Sequence, residues 1–276
     1  YAIDQLFANT DKTVPSSRVT LKIPAGIYQL NKSIKLPPHT NIVGDGSDKT
    51  IFRQATLPIT STVNGTQYQI VSVGTTDFTT FGSADNNVGT VFTMTNTPGV
   101  GTGTVRPIAP IFETVNDTRT TIDAGDQAQT SNSNQAREIK IEGMTLETAG
   151  DNIGLLLRDC ANSEFKDVQI LSNWRSGDAE SNNSIGIQVK TLSTIPTIAQ
   201  TNNNIFDKVR IYGFSHALES KFTDLMVDNI FSNCIIQECR EGMLIGEDPN
   251  GANVGTHLQG PIGNKFLNTK FIDIDR

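Results

Sequence analysis

The sequence predicts an all-β fold, and within that class a solenoid of short stacked strands. Three observations carry the prediction. Short apolar pairs recur from Val19 onward with Pro or Gly between them, as in "IPAGIYQLNKSIKLPPHTNIVGDG" from Ile23 to Gly46. No stretch leaves room for a long helix. One nine-residue template occurs four times in the second half: "NSEFKDVQI", "NNIFDKVRI", "DNIFSNCII" and "GNKFLNTKF". Strands this short cannot form an independent sheet, so their backbone groups need similar neighbours above and below.

Composition agrees. Charged residues are only 18% of the 276, while Asn, Thr, Ser and Gly are abundant, a balance that suits strands and tight turns more than helices. The net charge is −7, with Lys and Arg scattered, so an electrostatic grip on nucleic acid or on an anionic membrane is not expected. Cys160, Cys234 and Cys239 match no metal spacing, and an odd count argues against a disulfide framework. They read as buried small apolar groups, with one disulfide as the minor alternative. No apolar run approaches the roughly 18 residues needed to span a bilayer, so membrane insertion is not expected. The start at Tyr1 rather than Met and the strand-like end "FIDIDR" read as a piece of a longer polypeptide.

The elements follow in order. Ala2, Ile3, Leu6 and Phe7 recur at helical spacing and predict one short amphipathic helix. Val19, Leu21 and Ile23 then alternate on one face before a turn at Pro24-Ala25-Gly26. Ile34 and Leu36, a Pro37-Pro38 turn, Ile42, a Gly44-Asp45-Gly46 turn and Ile51 repeat the pattern. Residues 57–107 break it and read as a small β module inserted in a loop. Strands are expected there at Tyr68–Val73, Thr90–Thr95 and Thr102–Val105, with Asp77 capping one turn and a miniature core of Tyr68, Ile70, Phe78, Phe81 and Phe92. The division is therefore 1–56 for the helix and first coils, 57–107 for the insert, and 108–276 for the continuing solenoid.

In the four templates Phe165, Phe206, Phe231 and Phe266 are separated by 41, 25 and 35 residues, so 25 is nearest to a bare coil and the longer intervals carry loops. Each Phe is expected to stack on the next. The outward column reads Gln169, Arg210, Ile235, Lys270 and the inward one Val168, Val209, Cys234, Thr269. A second row is read as Gly154-Leu155, Gly186-Ile187, His216-Ala217 and Gly242-Met243, which places His216 where three other coils have Gly.

The stretch "IPAGIYQL…SIKLPPHTNIVGDGSDKTIF" resembles the first coil of the right-handed parallel β-helix of pectate-lyase-like proteins, above all the tailspikes and tail fibres of tailed bacteriophages. The Phe-x-Asn/Asp template resembles their coils as well. The insert, with Gly74-Thr75-Thr76-Asp77-Phe78-Thr79 and Gly101-Thr102-Gly103-Thr104-Val105, is similar to a small β module of tailed-phage virion proteins. The resemblance implies a right-handed parallel β-helix whose open N-terminal end is capped by the short helix. It implies a virion component for host attachment, a homotrimer that meets other tail or baseplate proteins and binds bacterial surface glycan. A slender solenoid with Ile235 facing outward has sides suited to packing against copies of itself.

The same fold also serves polysaccharide depolymerases and purely architectural virion parts, and both stay open. A hydrolase needs two carboxyl groups about 5 to 9 Å apart across a sugar groove. A lyase needs a base with Arg or Lys, often with calcium. Candidate acids are Asp159, Glu164 and Asp167; Asp178 and Glu180; Glu238 and Glu241; Glu247 and Asp248. Asp178, Glu180, Glu238 and Glu241 head the catalytic candidates, against the plain reading of solvated turn carboxylates. For glycan contact the candidates are Trp174, Arg175, Tyr212 and His216, an aromatic at a loop edge being a platform for a sugar ring. Trp174 has a core role as its alternative, and His216 has that of filling a wide corner. "GDGSDK" at Gly44–Lys49 reads as a turn, "GVGTG" at Gly99–Gly103 lacks a nucleotide-binding context, and His39, His216 and His257 offer no metal spacing. No cofactor or metal is expected.

Overall fold

The structure, a computed structural model, describes residues 2–96, 99–119, 121, 135–175, 183–191, 200–220, 224–245 and 263–275. In the solenoid every strand pairing is parallel and joins one coil to the next. Among the described residues three sheets run along it: one of twelve strands, one of six that begins at Ile34–Leu36 and ends at Glu241–Ile245, and a narrow one of four. This is a parallel β-helix. Its core is a single column of apolar side chains running from Ile34 to Cys239.

The template register is the expected one. Phe165, Phe206, Phe231 and Phe266 are paired rung to rung, with ring centroids 4.8, 4.4 and 4.9 Å apart and planes within 10° of parallel. Neighbouring strands lie about 4.8 Å apart, so the rung spacing itself imposes the stack. The residue two positions after each Phe, Asn or Asp in three of the four coils, has a backbone reason. Asp167, Lys208, Asn233 and Asn268 all adopt left-handed φ of 50 to 56°, a corner that splits the long strand. Asn and Asp tolerate that region best among residues with a side chain. A second left-handed column, Asn162, Asn203, Asp228 and Gly263, lies five residues earlier.

Between these columns is a buried ladder that the sequence reading passed over. Asn204 Nδ2 donates to Asn229 Oδ1 and Asn229 Nδ2 to Asn264 Oδ1, each at 2.9 Å. The same oxygens accept the backbone N–H of the coil before, so each asparagine satisfies a corner that no strand pairing reaches. Its signal is plain in retrospect: Asn-x-Phe at Asn204, Asn229 and Asn264, with Ser163 in the fourth coil.

The second row needs correcting by one residue. Leu155 pairs with Ile187, Ile187 with Leu218 and Leu218 with Met243, so the small row is Gly154, Gly186, Ala217, Gly242. His216 pairs instead with Ile185 and Glu241. Packing explains the row. A Cβ at Gly154 would collide with Ile170 Cγ2, and one at Gly186 would lie 2.5 Å from Ile211 Cγ2, so the opposing isoleucine row leaves room for nothing large.

Helix Ala2–Asn9 lies at the N-terminal end against Val19–Ile23 and buries Phe7. The first coils also enclose an apolar cleft of about 530 Å³ bordered by Leu21, Ile27, Tyr28 and Phe52. Residues Leu57–Pro58, Gln67–Ser72, Val91–Thr93 and Thr104–Pro107 form a separate antiparallel sheet with its own core. That core contains Tyr68, Ile70, Phe78, Phe81 and Phe92 together with Ile59, Met94 and Val105. Asp77 caps the turn Phe78–Phe81 by accepting the Thr79 N–H at 3.2 Å.

All three cysteines are buried and free. Burial pushes the Cys160 thiol up to about 12 and Cys234 and Cys239 up to about 11, which leaves them protonated at neutral pH.

Candidate functional site

The site is built at the corner where the strand Arg210–Tyr212 leaves the long sheet and turns through Gly213 toward His216–Ser220. Gly213 has φ 74°, and the backbone N–H of Trp174 in the preceding coil donates to its carbonyl at 2.9 Å. That bond fixes Arg175 beside the corner. Tyr212 pairs in register with Gln237 of the next coil, so three coils meet here.

On the long-sheet side, the Arg175 and Arg210 guanidinium groups lie 5.0 and 5.4 Å from the Tyr212 ring centroid. The Tyr212 hydroxyl donates to Glu238 Oε2 at 2.6 Å, and Arg175 Nε is 4.0 Å from the same oxygen. The bond to Glu238 holds the tyrosine hydroxyl's pKa above its ordinary value, because losing the proton would set two anions against each other. Arg210 Nη2 donates to Gln237 Oε1 at 2.9 Å.

On the other side, His216 Nδ1 is 2.9 Å from Glu241 Oε2 and its Nε2 is 2.9 Å from Arg240 Nη2. Arginine only donates, so Nε2 accepts from Arg240 and Nδ1 faces the Glu241 carboxylate as a donor. Both ring nitrogens are engaged and the residue is 9% exposed. The histidine clamps its coil to the next one through Arg240 and Glu241.

The candidates therefore divide. Arg175, Tyr212 and Glu238 come together; His216 and Glu241 form a second group. Trp174 is 2% exposed and packs inside the coil. Asp178, Glu180, Glu247, Asp248 and His257 lie outside the described residues. Asp159 is buried at a left-handed corner, Glu164 is 3.7 Å from Lys140, and Asp167 accepts from Ser47 at 3.1 Å. Arg210 and Gln237 were missed, although the 25-residue offset that relates Phe206 to Phe231 also relates Tyr212 to Gln237.

Another buried carboxylate also went unread. Glu113, 3% exposed, takes Lys35 on one side and Arg158 Nε at 2.6 Å on the other. Burial alone would raise its pKa, but the two cations outweigh that and hold it below the ordinary range. It joins three coils as an ionic staple. Among the described residues no group of three or more His, Cys, Asp or Glu side chains is disposed to hold a metal ion. No helix among them is long and apolar enough to cross a membrane.

No known family profile matches the chain, and no curated protein does. Solved structures do. The pectin methylesterase PemA from Erwinia chrysanthemi is 10% identical, with 94% of this chain and 58% of that one covered, at a TM-score of 0.42. The N-terminal fragment of bacteriophage Phi29 gene product 12 is 12% identical over 91% of this chain and 36% of that one, at 0.42. A Geobacillus virus E2 protein is 14% identical over 98% and 44%, at 0.37. The chain thus spans less than two thirds of each. These are similarities only, and the fold rests on the strand register described above.

Proposed function

We propose that this chain is a host-attachment component of a phage tail fibre or tailspike and that it binds bacterial surface polysaccharide. The observation that carries the reading is the corner itself. Two arginines, a tyrosine, a glutamine and a glutamate converge there on a rigid stack, the polar donors and acceptors that sugar recognition requires. Homotrimerisation, contact with other tail or baseplate proteins and a place in the virion belong to the same proposal.

The test is to present the purified protein with capsular and lipopolysaccharide preparations from a panel of bacteria, measuring binding, new reducing ends and unsaturated uronate together. Binding without cleavage is the expected result. Cleavage would make the chain a depolymerase on the same fold and shift attention to Glu238 and Glu241. A monomer that binds no envelope polysaccharide would defeat the proposal and leave the architectural role.

A further inference from the structure

The first rung of the stack has three strands, each paired on one side only: Val19–Ile23 with Thr40–Gly44, Gly26–Leu30 with Thr50–Gln54, and Ile34–Leu36 with Phe112–Thr114. Helix Ala2–Asn9 lies against the first of them. Gly26–Leu30 is left open. The Gly26 N–H donates to the Lys49 carbonyl and the Leu30 carbonyl accepts from Ala55, so Gly26, Tyr28 and Leu30 turn their backbone groups toward the second coil. Those of Ile27 and Gln29 point the other way, where no strand among the described residues meets them. An unpaired row of this kind is a template for one more strand.

The side chains agree. Ile27 and Gln29 face outward and are exposed, Ile27 by 55%, while Tyr28 and Leu30 face inward and are half-buried. All four border the apolar cleft of the first coils, together with Leu21 and Ile34. Successive side chains of a strand point to opposite faces, so a cleft bordered by both sets lies over the strand's edge. Tyr28 stacks on Phe52 with ring centroids 5.3 Å apart, which makes it the last ring of its column and brings that column into the cleft. None of the residues bordering the cleft is charged. Lys22, exposed in the neighbouring strand, has no carboxylate partner among the described residues.

We infer that the cleft is a docking site for an extended segment of a separate polypeptide, which joins Gly26–Leu30 as a further strand. Its backbone exchanges hydrogen bonds with Ile27 and Gln29. Its alternate apolar side chains fill the cleft over Tyr28 and Leu30, an aromatic one extending the ring column, and an acidic residue beside the apolar run meets Lys22. A lipid chain would fill the same volume but leave the backbone groups of the edge unpaired, and that decides for a peptide. The glycan corner lies further along the stack, so this site stands whether or not that corner binds sugar.

The experiment titrates the intact chain with a short synthetic peptide of alternating valine and threonine that carries a central phenylalanine and a terminal aspartate. The unmodified peptide is expected to bind. Two further forms are N-methylated, one on every apolar residue and one on every threonine. A strand held along a single edge donates from only one of these sets, so one form should bind tenfold or more weaker and the other nearly as well as the parent. Gln29→Pro deletes an N–H of the open edge and leaves the ladder to the second coil intact, so it should also lose tenfold or more, with an unchanged circular dichroism spectrum. Lys22→Gln should cost several-fold at low salt.

No binding of the unmodified peptide overturns the inference, as does an equal effect of the two methylations, which needs no variant of the chain to be seen. Full binding by Gln29→Pro does the same. Palmitate bound in place of the peptide would make the cleft a lipid site, and self-association abolished by Gln29→Pro would give the edge to a second copy; either result overturns a separate polypeptide partner.

Discussion

His39 has a left-handed φ of 61° and is buried in the first coils, its Nδ1 3.4 Å from Glu138 Oε2. Burial lowers its pKa below 6.5, and the nearby Glu138 only partly offsets this, while Arg137 and Arg18 push the same way as burial. The unfolded chain therefore takes up a proton at this residue before the folded one does. Stability contributed by His39 is full above pH 6.5 and is lost as pH falls through that value. Denaturation midpoints measured at about pH 7.5 and 5.5 should show the chain weakening on the acid side. His39→Asn, whose side chain suits a left-handed backbone, should weaken less between the two; an equal loss in both would assign the effect to other groups.

Within the coils, the phenylalanine stack and the asparagine ladder hold the same corner by different physics. Phe206→Leu keeps most of the buried volume and forfeits ring stacking, a loss of about 1 kcal/mol. Asn229→Ala leaves the Asn204 backbone N–H and side-chain amide without their acceptor and frees the Thr201 carbonyl, so about 3 kcal/mol is expected despite the smaller side chain. Urea denaturation of both variants checks the order, and a costlier Phe206→Leu would reverse it. The difference also explains what the sequence disclosed. Phe165, Phe206, Phe231 and Phe266 were legible because an apolar residue repeating in a polar strand has one explanation. Asn204, Asn229 and Asn264 were not, because asparagine is equally at home in any exposed turn. His216 was misplaced by one residue because only the register against Ile185 and Glu241 separates it from the small row. Tyr212 and Glu238 could be nominated singly, yet their meeting depends on a rung-to-rung pairing that spacing alone does not reveal.

Across the whole molecule, the question is what the antiparallel unit adds to the stack. Its first strand, Leu57–Pro58, pairs with its last, Thr104–Pro107, so the chain leaves the solenoid and returns at neighbouring points. Gln54 Nε2 donates to the Pro107 carbonyl at 2.6 Å and to Asn152 Oδ1 at 3.1 Å, tying that junction to the coils. Between Leu57 and Val105 the only charged residues are Asp77 and Asp85, and hydrogen bonds from Thr79 and Asn86 to one, and from Thr90 and Asn87 to the other, hold both pKa values below the ordinary range. A surface with so little free charge suits a protein neighbour better than a charged polymer. Replacing residues 57–107 by a short Gly-Ser linker should therefore keep the β-helix, with melting lowered by no more than about 5 °C, because the unit has its own core. Glycan binding at the Tyr212 corner should be unchanged. Loss of virion assembly with binding intact would mark the unit as a docking module. Loss of adsorption alone would make it part of host recognition, and collapse of the coils would show that solenoid and insert fold as one.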